Sequence, residues 1–138
     1  MLVSGPSTSS PWGALAVDAT SVYWANVGAS GTMAAVILKA PLAGGTPVTL
    51  AALDSDEPQS MAVDATNLYW TSFGDWPVTA NGTVMKVSLA GGTPVTLATG
   101  QAAPGGIAID ATSVYWTNEG ICPGTSSCAQ GSVVKVSK

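Results

Sequence analysis

The chain contains no histidine and no arginine; its basic residues are four lysines, Lys39, Lys86, Lys135 and Lys138. Without histidine there is no Ser-His-Asp or Cys-His pair, and the commonest zinc ligand is missing. Four lysines in a chain of net charge −4 do not make the basic stripe that neutralises nucleic-acid phosphates. Charge of either sign is scarce, at 9% of residues. No run reaches the roughly 18–20 apolar residues of a membrane span, and the longest candidate, residues 33–38, stops at Lys39. The first residues, 1–5, lack the basic and apolar regions of a secretory signal.

What is abundant points the other way. Hydrophobic residues make up 46% of the 138, with 16 glycines and 9 prolines. That balance suits many short strands joined by tight turns, in a chain of single-domain size.

An internal repeat organises the chain. "DATSVYW" at 18–24 returns as "DATNLYW" at 64–70 and "DATSVYW" at 110–116, a period of 46 residues. That period fits four-stranded propeller blades, because the 3.6-residue apolar spacing of helical repeats is absent. The expectation is an all-β propeller with three four-stranded blades over residues 1–138, their first two strands at 15–26, 61–72 and 107–118. Strand A centres on Ala16, Ala62 or Ala108, small enough for the crowded axis. Strand B carries Tyr-Trp (Tyr23-Trp24 and its repeats), and adjacent strand residues face opposite sides, so both faces must be covered by neighbouring blades. Strand C carries Lys39, Lys86 or Lys135, whose stems lie along the blade with the ammonium in water. Strand D begins at Thr46 or Thr93 after a Gly-Gly hairpin (Gly44-Gly45, Gly91-Gly92). The third copy ends before strand D, and residues 1–5 align with 96–100, so a closing strand at 1–5 is expected to complete the last blade. Three blades do not close a ring, since propellers use about 4–8. A two-fold homodimer with six blades is therefore expected.

The motif P-x-x-[M/I]-A-[V/I]-D…[L/V]-Y-W-T-[S/N], at 58–72 and 104–118, resembles the YWTD repeats of LDL-receptor-type six-bladed propellers. It is also similar to repeat arrays of bacterial envelope proteins, myxobacterial ones in particular. The last Asp of YWTD is Asn26, Ser72 or Asn118 here, and no copy has an arginine on strand C. The resemblance implies six blades, extracytoplasmic life, and binding in place of catalysis.

The copies differ from one another only in certain segments. Trp24 to Lys39 spans 15 residues, Trp70 to Lys86 spans 16, and Trp116 to Lys135 spans 19. The D–A segments vary too, while the A–B and C–D links are constant. In an up-and-down blade the B–C and D–A loops share one face, so the variation collects on one rim, the usual place for binding loops. Trp12, Phe73, Asp75, Trp76, Asn118 and Glu119 are the candidate ligand-binding residues of that rim. Trp12, taken to replace the proline of positions 58 and 104, either packs over a blade top or joins the site. Trp76 suits stacking on a sugar or anchoring a peptide. Asp54, Asp56 and Glu57 read as a solvated acidic loop, short of the six to eight oxygens of a calcium site. Asp75 with Glu119 is the one carboxylate pair to weigh for glycoside hydrolysis. Cys122 and Cys128 either close a small disulfide ring, which implies an oxidising compartment, or stay as thiols.

The reading that follows is a non-enzymatic binding module with no cofactor and no metal, taking a protein, peptide or glycan ligand and pairing with itself. The alternatives are a scaffold unit without its own ligand and, further off, a hydrolase or lyase. The A–B phrase itself is read as frame, its Asp accepting main-chain N–H bonds in an Asx-turn.

Overall fold

A computed structural model describes residues 10–27, 35–53, 57–74, 80–120 and 131–138. These form three antiparallel sheets in chain order. The first contains β1 (Ser10–Val17), β2 (Ser21–Val27), β3 (Ala35–Pro41) and β4 (Val48–Leu53). The second contains β5 (Pro58–Val63), β6 (Asn67–Ser72), β7 (Gly82–Ser88) and β8 (Val95–Gln101). The third has β9 (Pro104–Ile109), β10 (Ser113–Asn118) and β11 (Ser132–Ser137). Strands pair strictly with their sequence neighbours, and the leading strands β1, β5 and β9 lie side by side. The expected closing strand at 1–5 lies outside the described residues.

Sheet stacking follows from the Tyr-Trp pair on each second strand. Tyr23 shares a buried cluster with Leu68 and Trp70 of the second sheet, and Tyr69 shares another with Val114 and Trp116 of the third. Tyr23 and Tyr69 thus turn to the following sheet and Trp70 and Trp116 to the preceding one, as opposite-facing neighbours on a strand must. A tryptophan that buries roughly 200 Å² contributes on the order of 5 kcal/mol gross at about 25 cal/mol per Å². Small partners allow the close approach: Ala14, Ala16, Ala25 and Ala35 line the first seam. At the second seam a Cβ on Gly82 would stand 2.3 Å from Pro104 Cδ, so only glycine admits the third sheet there. Among the polar bonds that cross that seam, the Thr71 hydroxyl donates to the Gly105 carbonyl at 2.7 Å and the Ile107 N–H to Ser60 Oγ at 3.3 Å.

Three expectations need correction. Strand D starts at Val48 and Val95, two residues late, because Pro47 and Pro94 have no N–H to give the ladder. The Gly-Gly pairs do take positive φ, but inside six-residue links, 42–47 and 89–94, not two-residue hairpins. Trp12 is not on a loop. It lies in β1 opposite Ala25, and Pro11 opposite Asn26 occupies the register of Pro58 opposite Ser72 and Pro104 opposite Asn118. A wider bulge between Trp12 and Leu15 absorbs the extra residue. The side chain of Trp12 lies outside the described residues.

Candidate functional site

One end of the stack is uniform. In every copy the Asp of the A–B turn accepts on Oδ1 the backbone N–H groups two and three residues on: Thr20 and Ser21 at 2.7 and 2.8 Å, Thr66 and Asn67 at 2.9 and 2.8 Å, Thr112 and Ser113 at 2.7 and 2.8 Å. The threonine hydroxyl binds the same oxygen. The Asx-turn expected from the sequence is therefore present three times. Oδ2 has a partner that sequence reasoning missed, the tyrosine hydroxyl five residues on: Tyr23 at 2.7 Å, Tyr69 at 3.0 Å and Tyr115 at 2.7 Å. The constant Asp-to-Tyr spacing of five was the available signal. The Thr20 N–H, then the Tyr23 hydroxyl, hold the Asp18 carboxyl down at about 2. Asp110 is held well below the usual carboxylate range by the Thr112 N–H and the Tyr115 hydroxyl. Burial works against ionisation of Asp64, yet the Lys138 ammonium and the turn's N–H groups outweigh it and keep the carboxyl low. Burial, with the neighbouring carboxylate, pushes the Tyr23 and Tyr69 hydroxyls up to about 12.

Lysine reinforces this end. Lys138 Nζ lies 2.7 Å from Asp64 Oδ2 and 5.3 Å from the centre of the Tyr69 ring, so the last residue of the chain ties the third sheet to the second. Lys39, opposite Tyr23 on β3, holds its ammonium 5.5 Å over that ring.

The other end carries the variable segments. The Glu119 and Gly120 N–H groups donate to the carbonyls of Ala103 and Ala102 at 3.0 and 3.1 Å, joining the start of a B–C segment to a D–A link. Both kinds of segment therefore leave from the same rim, as the loop comparison requires. Ala103 takes a left-handed φ of 55° in that link. Below it, Gln101 Oε1 accepts from Trp116 Nε1 and from Asn118 Nδ2, both at 3.0 Å. Glu119 is exposed beside Gly105, and Phe73 is half-buried just past β6. Gly74, at φ 90°, lets Asn81 close the neck of the next B–C segment; a Cβ there would run into Asn81 Oδ1.

Of the residues expected at the rim, Phe73, Asn118 and Glu119 stand there on adjacent sheets. Asp75, Trp76, Asp54, Asp56, Cys122 and Cys128 lie outside the described residues, which leaves the Asp75–Glu119 pair and the cysteine pair without a geometry; Glu57 is half-buried before β5. Gln101 was not anticipated, since it sits at the end of a strand in only one copy. Three buried polar atoms have no partner among the described residues and lie at rim ends of strands: Ser72 Oγ, Thr83 Oγ1 and Asn118 Oδ1. No three His, Cys, Asp or Glu side chains come together among the described residues.

In the first sheet, Leu53 opposite Ala35 takes the register of Gln101 opposite Gly82. Trp70 accordingly has no acceptor for its Nε1 among the described residues, whereas Trp116 does. Gln101→Leu would reproduce the first seam's arrangement at the second, orphan the Trp116 indole N–H and leave Asn118 Nδ2 with Ser132 Oγ alone. The expected cost is about 1–3 kcal/mol in urea unfolding.

No protein-family model matches the chain, and no curated protein matches it. Among solved structures, a chain from the crystal structure of a nidogen/laminin complex is similar at 26% identity and a TM-score of 0.60. The match covers 76% of this chain and 38% of that one. With the three successive antiparallel sheets, this similarity gives a β-propeller-like fold.

Proposed function

We propose that the chain is a non-enzymatic interaction module that binds a protein or peptide, or else a glycan, through the rim of B–C and D–A segments. One observation carries the reading. The two ends of the sheets are built differently: one repeats the same saturated Asp-Tyr turn three times, and the other joins the segments in which the copies disagree and leaves buried polar atoms without partners among the described residues. A rigid scaffold with variation gathered on one rim is how binding loops are presented. The solved chain to which it is similar comes from a protein–protein complex, which favours a protein partner. The lack of His and Arg weighs against catalysis. In this proposal the module works outside the cytoplasm as a six-bladed ring of two copies.

The test is a screen of the immobilised protein against a displayed peptide library and a glycan array, repeated with Phe73→Ala and Glu119→Ala. Hits weakened about tenfold or more by either change, a loss of about 1.4 kcal/mol, support the rim. Hits that survive both changes but fall with Thr112→Val would move the site to the opposite end, and blank screens would leave a scaffold.

A further inference from the structure

We propose that the rim end of the first seam is a water site. One buried water accepts from Trp70 Nε1 and bonds Ser72 Oγ and Thr83 Oγ1, standing where Gln101 Oε1 stands at the second seam.

Register puts the three polar groups on one face. Leu68 and Trp70 of β6 lie in the cluster between the first two sheets, with Val87 of β7 in it and Met85 against it. Side chains alternate along a strand, so Ser72, two places past Trp70, and Thr83, two places before Met85, point into the same seam. Ser72 and Thr83 stand directly opposite each other on the paired strands. Trp70 Nε1, Ser72 Oγ and Thr83 Oγ1 are buried and have no hydrogen-bond partner among the described residues. Trp70 is fully buried and Ser72 is 1% exposed, so bulk water does not serve them. An indole N–H only donates, while each hydroxyl donates and accepts, so the group that this trio calls for is an acceptor. Leaving buried polar groups unpaired costs more than immobilising one water among them.

The second seam repeats the arrangement with its acceptor in place. Asn118 pairs with Ser132 there as Ser72 pairs with Thr83, and Trp116 is the counterpart of Trp70. Gln101 Oε1 accepts from Trp116 Nε1 and Asn118 Nδ2, both at 3.0 Å, and Asn118 Nδ2 also reaches Ser132 Oγ at 3.4 Å. At the first seam Leu53 holds the Gln101 register, opposite Ala35 as Gln101 is opposite Gly82, and it offers no acceptor. Where Asn118 puts a carboxamide, Ser72 puts only a hydroxyl, and the difference is room for a water. A buried water makes about three hydrogen bonds, and the trio supplies them. The last residue of the fourth strand thus selects the acceptor: glutamine brings its own, and leucine leaves the place to solvent. Phe73 follows Ser72 directly, so the water lies just under the rim.

The test is a high-resolution crystal structure of the parent and of Leu53→Gln. The parent should show water density within about 3.2 Å of Trp70 Nε1, in reach of the two hydroxyls as well, with Gln101 Oε1 in the matching place at Trp116. In Leu53→Gln the introduced carboxamide oxygen should take the position of that water, and the water density should be gone. Should Leu53→Gln not fold, Ser72→Asn, which restores the second seam's carboxamide, should displace the water in the same way. A parent structure without water beside Trp70 Nε1 would overturn the proposal. So would a water that stays beside Trp70 in whichever variant folds.

Discussion

Asp64→Ala is expected to lower the unfolding free energy by about 3 kcal/mol, read as a fall in the urea midpoint. Five donors converge on this carboxylate: the N–H groups of Thr66 and Asn67, the Thr66 hydroxyl, the Tyr69 hydroxyl and the Lys138 ammonium. Removing it dissolves the turn, unties the third sheet from the second, and leaves the hydroxyl of fully buried Tyr69 without its acceptor. Asp64→Asn should recover part of the loss, because one oxygen remains to accept from the turn while the amide cannot accept from Tyr69 or Lys138. Asp18→Ala and Asp110→Ala should cost less, since neither carboxylate has an ammonium partner among the described residues.

The same turns set the pH range of stability. The three aspartates have folded-state values below the unfolded value of about 3.9, so their contribution is complete above that value and is lost as pH falls toward the folded value, about 2 for Asp18. Tyr23 and Tyr69 are raised to about 12, so their contribution is complete below about 10 and is lost as pH rises from there. Equilibrium unfolding should therefore show a broad plateau with an acidic and an alkaline edge. In Asp64→Ala the acidic edge should be shallower, and ultraviolet titration should find Tyr69 ionising nearer its ordinary value. An unchanged acidic edge would mean that these carboxylates do not control it.

Trp70→Ala is expected to cost about 3–5 kcal/mol, the range for deleting a large buried aromatic side chain. Trp70 is fully buried in the cluster that joins the first two sheets. Trp70→Phe should keep most of the stability, because the lost indole N–H has no partner among the described residues. The useful control is Trp24→Ala at the same repeat position. Trp24 packs with Val22, Leu38 and Ala40 of its own sheet, so the folded chain should lose less. Equal losses at the two positions would mean that the Trp24 cluster within the first sheet stabilises the fold as much as the seam around Trp70 does.

The Asp-to-Tyr phrase, the Gly-Gly links and the variable rim could all be read along the chain because each depends on residues a few places apart and occurs more than once. Phe73, Asn118 and Glu119 were placed by that logic and do stand at the rim. Trp12 shows where the logic stops. Counting back from Asp18 put it in the proline position, but a bulge is a property of two paired strands, and the ladder assigns Pro11 there. Gln101 and Lys138 are of the same kind: each occurs once, and their partners lie on other strands, up to 74 residues away for Lys138 and Asp64.

The sequence by itself determined the repeating unit, its strands, the opposite facing of the two residues in each Tyr-Trp pair and the end at which the copies diverge, because periodicity of two and short-range turn chemistry are local. Only the tertiary structure decided which face of which sheet is covered. Burial of Ile37, Val84 or Val133 depends on whether another sheet follows, and the three residues occupy one repeat position with three different surroundings.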